Sequence, residues 1–163
     1  MLVKGEFFVQ CRSRRGVILW HERIKNSATI EGLTYLLAAG FNSGTALTSW
    51  YVGLIDNNGF SEIDISDVMA SHVGWAELTS YSQGTRPGWA PLAASGGLIS
   101  NTANMVFTFS TGCTMAGLFV ASDSTKGGTS GTLWATALFP LPKAVSNTQI
   151  LELIYVVQGA GGT

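Results

Sequence analysis

From Met105 to Ser110 the chain alternates, with Met105, Phe107 and Phe109 interleaved with Val106, Thr108 and Ser110. An extended backbone places the first three on one face, a strongly apolar one. Similar alternations, or short continuous apolar runs, recur along the chain. Gly5 to Cys11, Gly16 to Ile24, Trp50 to Ile55, Glu77 to Tyr81, Leu98 to Asn101, Thr114 to Ala121, Leu133 to Leu138 and Ile150 to Val157 are the further strands expected. Turn-forming residues separate them. The polar turn Arg12-Ser13-Arg14-Arg15 joins the first two, and Asp56-Asn57-Asn58-Gly59 ends the Trp50 run with an Asn-Gly turn signal. Ser122 to Gly131 reads as a flexible connection, Pro140 and Pro142 as breaks before the last strand, and Gly159 to Thr163 as a frayed tail. One segment has helical spacing: Ile30, Leu33 and Leu37 share a face within Ala28 to Ala39, with Asn26 or Ser27 as N-cap and Gly40 at the C′ position. Ser66 to Ser71 is at most a short helical turn.

Many short strands, one helix and no strand–helix–strand alternation predict an all-β fold. The expected architecture is an antiparallel β-sandwich, with a jelly roll as the favoured version. At 163 residues the chain is most simply one structural unit. Within it, residues 1–25 form a basic N-terminal hairpin or arm, and residues 26–163 form the sandwich.

Charge sharpens this picture. Charged residues make up only 12% of the chain against 46% hydrophobic ones, while sixteen Ser and sixteen Thr supply much of its polarity. So neutral a surface suits a protein that works inside an assembly. The net charge of −1 is unevenly spread. Lys4, Arg12, Arg14, Arg15, Arg23 and Lys25 face only Glu6 and Glu22, giving the first 25 residues a net +4; three bases and eight acids leave −5 for the remainder. Such asymmetry points to an arm or hairpin that meets an acidic partner, or to a solvated hairpin with an Arg-rich turn. An isoelectric point near 6.1 argues against nucleic acid. No apolar run is long enough for a membrane span. The opening residues lack the layout of a secretion signal, so Cys11 and Cys113 are expected to be reduced thiols rather than a disulfide.

Candidate chemistry is sparse. His72 lies near Asp67 and Glu77, but the spacing fits no metal motif, and the expected role is a hydrogen bond within an ordered loop, packed beside Trp75. Ser71-His72 lacks a nucleophile elbow, Cys11 and Cys113 lack the context of thiol nucleophiles, and Gly96-Gly97 and Gly127-Gly128 lack a phosphate-loop lysine. The expectation is a non-enzyme without catalytic residues, metal or cofactor. Trp50 and Trp75 read as core anchors. Arg86-Pro87-Gly88-Trp89 sits in a Gly/Pro-rich loop, where Arg86 and Trp89 are candidate interface anchors beside Arg12, Arg14 and Arg15.

One longer series ties several of these runs together. Trp50-Tyr51-Val52-Gly53-Leu54-Ile55-Asp56 is followed by Asp67 to Glu77 with Trp75, then by Tyr81 and Arg86-Pro87-Gly88-Trp89, and preceded by Thr29 to Leu37. This series resembles the capsid decoration, or cement, proteins of tailed bacteriophages. The resemblance covers most of the chain. It implies a β-sandwich or jelly roll, made in the host cytoplasm, that binds the major capsid protein on the outer capsid surface. It also implies a homo-oligomer (a trimer, or else a dimer) and carries no catalytic residue. Tail, fibre or head–tail connector proteins share the composition, and a carbohydrate-binding module is a third reading.

Overall fold

The computed structural model describes residues 2–160; the end of the expected frayed tail, residues 161–163, lies outside the described residues. β1 (Leu2–Arg12) and β2 (Ile18–Ala28) form a long hairpin, followed by helix α1 (Ile30–Phe41) and β3 (Trp50–Asp56). Then come the short β4 (Glu77–Leu78), β5 (Gly88–Trp89), β6 (Leu98–Ser100) and β7 (Met105–Thr108). The long β8 (Cys113–Ala121), β9 (Leu133–Val145) and β10 (Ile150–Ala160) complete the chain. Gly159 and Ala160, expected in the tail, are instead paired with Val3 and Leu2.

All strands pair antiparallel, in the order β4-β3-β8-β9-β2-β1-β10-β6, with β5 on β3 and β7 on β10. β2 belongs to both halves of the sheet. Its length pairs with β1, while Ser27 and Ala28 at its end pair with Thr136 and Ala135 of β9. The sheet turns a corner there and folds over itself, so Phe7, Val9 and Tyr155 of one half meet Val52, Leu54, Leu118 and Val120 of the other in one core. The chain is thus an all-β, sandwich-like antiparallel fold with one helix, as the alternation predicts. The pairings β1 with β10, β2 with β9 and β3 with β8 are nested, as in a rolled-up hairpin, with direct β1–β2 and β8–β9 hairpins added. The N-terminal segment takes the hairpin form rather than that of a free arm, because β1 lies between β10 and β2.

β3 and β8 are buried on both faces, which explains their near-continuous apolar sequences. Their second face is covered by the long 57–76 connection, from which Phe60, Ile63, Met69 and Trp75 pack on Ile55, Ala116 and Phe119.

Three local expectations need correction. The helix starts two residues late because Thr29, not Asn26 or Ser27, is the N-cap: its hydroxyl accepts from Gly32 N at 3.0 Å and donates to the Leu133 carbonyl. Gly40 stays inside the helix, which ends at Phe41 with Asn42 as its C-cap, followed by Ser43 in the left-handed region. Ser66 to Ser71 is not helical; Val68 and Ser71 bridge a tight turn instead. Pro140 and Pro142 do not break β9. They occupy an exposed bulge, where the register jumps from Met115↔Lys143 to Gly117↔Leu138 and no ladder N–H is demanded of them.

Candidate functional site

The hairpin turn is closed by its own backbone. Ser13 N donates to Val17 O at 2.8 Å, Gly16 N donates to Ser13 O at 2.9 Å, and Gly16 supplies the positive φ of 85° that the turn requires. The turn therefore holds its side chains on a rigid mount. Arg12 is not among the projecting ones: its Nε lies 3.0 Å from Glu152 on β10. Farther along the hairpin, Arg23 pairs with Glu6 at 2.6 Å, which holds the Arg23 guanidinium above its ordinary pKa, and Lys143 pairs with Glu22. Arg14 and Arg15 are exposed and have no carboxylate partner among the described residues. Val17, Ile18 and Leu19 follow directly, 60%, 55% and 45% exposed. Three consecutive aliphatic side chains beside two unpaired guanidiniums match the makeup of an interface, which is rich in Arg and apolar at its centre. Alternation alone assigns one face of this strand to the core and so misses the aliphatic triplet. The visible signal was the run Val17-Ile18-Leu19 beside an Arg-rich turn, where both faces pass the end of the sandwich.

Arg86, expected at a contact surface, lies elsewhere. Its side chain is fully buried. The guanidinium forks onto Glu77, with Nη2 at 2.7 Å from Oε2 and Nε at 3.1 Å from Oε1. It also donates to the carbonyls of Asp123 and Gly128 at 2.8 and 2.7 Å and lies over the Phe119 ring. Glu77 is in turn bound by the Gly127 N–H at 2.7 Å and by the Tyr81 hydroxyl. Burial, together with the Glu77 charge, pushes the Tyr81 hydroxyl well above its ordinary pKa. Lys126 adds bonds to the Tyr81 and Gln83 carbonyls at 3.0 and 2.6 Å. The Ser122–Gly131 connection, expected to be flexible, is therefore fastened to the 77–86 segment by charge-assisted bonds. Arg86 fails as an interface residue for a physical reason: its side chain is fully buried and four of its five N–H donors are already engaged inside the protein.

Trp89 is half-buried, its indole N–H shared between Asn101 Oδ1 at 3.0 Å and the Tyr155 carbonyl at 3.1 Å. The structure does not bring it near the hairpin turn: Trp89 pairs with Trp50, at the end of the molecule where β1 begins. His72 lies in an ordered loop, with Nδ1 2.9 Å from the Trp75 carbonyl and its ring stacked on Trp75 at 3.8 Å. Trp75 donates to Asp67 at 2.9 Å, and the same carboxylate accepts from Asp64 N. Cys11 and Cys113 are both free thiols, and burial pushes Cys11 up to about 11. No three His, Cys, Asp or Glu side chains gather among the described residues, and no helix among them is long and apolar enough to cross a membrane.

No protein-family model matches the sequence, and no curated protein is significantly similar to it.

Proposed function

We propose that this protein is a structural component of a tailed-phage virion that attaches to the outer capsid shell and stabilises it. The observation that carries the reading is the hairpin tip, which offers Arg14, Arg15, Val17, Ile18 and Leu19 on a turn closed by its own hydrogen bonds. A rigid mount lowers the ordering cost of docking, so more of the contact energy appears as affinity. The partner surface is acidic around an apolar centre, which arginine recognises through bidentate bonds to carboxylates. That partner is the major capsid protein, bound by several copies of this chain. Many equivalent contacts across subunit seams then give avidity beyond any single interface, and a trimer matches the threefold positions of a shell. A low charge content suits a protein surrounded by neighbours, and the resemblance to decoration proteins supports the same assignment.

The test is co-sedimentation of purified protein with capsids that lack it. Changing Arg14 and Arg15 to Glu should reduce attachment at least tenfold while thermal unfolding stays unchanged. Changing Ile18 to Asp should do the same. Unaltered attachment of both variants at moderate salt refutes the tip as the contact, and failure of the parent protein to attach refutes the assignment to the shell.

A further inference from the structure

At the opposite end of the β1–β2 hairpin from this tip, the folded sheet does not close on itself. Trp50 of β3 and Trp89 of β5 face each other in register, and Val157 of β10 pairs with Ile99 of β6. Between these edges, with Trp134 of β9 below and Tyr35 of α1 to one side, lies an apolar pocket of about 430 Å³. Protein interiors normally fill such space to crystal-like density. Here four aromatic rings stand around it at tilted angles: Tyr35 on Trp50 at 5.4 Å and 67°, Trp50 on Trp134 at 6.1 Å and 59°. None of the lining side chains is charged.

The polar groups of this pocket are nearly all committed. The Trp89 N–H is taken by Asn101 and Tyr155, the Trp134 N–H donates to the Tyr155 hydroxyl at 2.8 Å, and the Tyr35 hydroxyl accepts from Leu47 N at 2.7 Å. A concave, mostly apolar site of a few hundred Å³ is the usual form of a small-ligand site.

We propose that this pocket binds an uncharged aromatic group. Charge is excluded because no side chain in the lining would replace its lost hydration. Aromatic character follows from the rings, which accept another ring edge-to-face or offset. Size follows from the volume: the 430 Å³ correspond to about fourteen waters at roughly 30 Å³ each, enough for a fused two-ring system. A sugar fits poorly, because its hydroxyls would meet almost no free donors or acceptors. The site is independent of the shell-binding reading and stands or falls separately.

The probe is prodan, a neutral naphthalene with one carbonyl acceptor, whose emission moves to the blue in apolar surroundings. The purified protein should bind it saturably, one per chain, with quenching of tryptophan emission. Leu98→Asp places a charge at the 40%-exposed mouth of the pocket and should weaken binding at least tenfold, and Leu98→Trp, which fills the mouth, should do likewise. Leu141→Asp, on the exposed bulge outside the pocket, should leave binding unchanged. Binding that never saturates, or that survives both Leu98 changes in folded protein, overturns the proposal. So does displacement of prodan by maltose, which would make the site a carbohydrate platform.

Discussion

Replacing Arg86 with Met separates the internal role of that residue from the surface role its sequence context suggests. The methionine fills most of the space but leaves Glu77, whose side chain is 4% exposed, buried beside two orphaned carbonyls. Breaking a buried ion pair from one side costs about 3–5 kcal/mol, because the remaining charge has lost its compensation. The residual bonds from Gly127 N and Tyr81 to Glu77 hold the estimate toward the lower end. For a chain of this size each kcal/mol moves the melting temperature by about 2–4 °C, so a drop of about 6–15 °C is expected in differential scanning calorimetry. Adding Glu77→Gln to Arg86→Met should recover about half the loss, since a neutral amide tolerates burial better than an unpaired carboxylate. A loss below about 1 kcal/mol at pH 7, or no recovery in the double variant, would refute the view that Arg86 fastens the two loops.

Gly32 should show the reverse of the usual helix preference. A Cβ there would lie 2.5 Å from the Trp134 carbonyl oxygen, so Gly32→Ala should destabilise by about 1–2 kcal/mol in urea titration, despite a helix propensity gain of about 1 kcal/mol; a stabilised variant contradicts the close approach of α1 to β9. Ellman's reagent at pH 8 should leave buried Cys11 unreacted in the folded protein, since burial raises its pKa to about 11, and should titrate two thiols once the unreduced chain is unfolded; fewer than two refutes the free-thiol state. Replacing His72 with Ala removes the stack on Trp75 and the bond to its carbonyl, and should cost about 1 kcal/mol of stability with no change in metal content; stoichiometric zinc lost with the substitution would overturn the structural role.

The fold was largely legible because burial imposes a period on the chain. The alternation at Met105–Phe109 and the unbroken runs of β3 and β8 report directly on strands with one or two buried faces. Boundaries were less legible where several residues could serve the same purpose: Asn26, Ser27 and Thr29 are all competent N-caps, and only the neighbouring Leu133 and Trp134 carbonyls favour the third. Pro140 and Pro142 misled because a bulge excuses them from the ladder, and a bulge is a property of the pairing rather than of the residues. Arg86 misled most. A Gly/Pro-rich loop suggests exposure, yet its partners lie nine, 37 and 42 residues away, and nothing local marks that convergence. The aromatic pocket is similarly dispersed, drawn from strands far apart in sequence, whereas the Arg14–Leu19 tip is continuous and could be read in part.

Attachment to the capsid shell through the hairpin tip, as proposed, is decided by cryo-electron microscopy of the intact particle at side-chain resolution. Density for this chain is expected on the outer face of the head, with the 13–19 turn against the shell and Arg14 and Arg15 opposite carboxylates of the major capsid protein. Density for the chain in the tail, or on the head with that turn pointing into solvent, would contradict it.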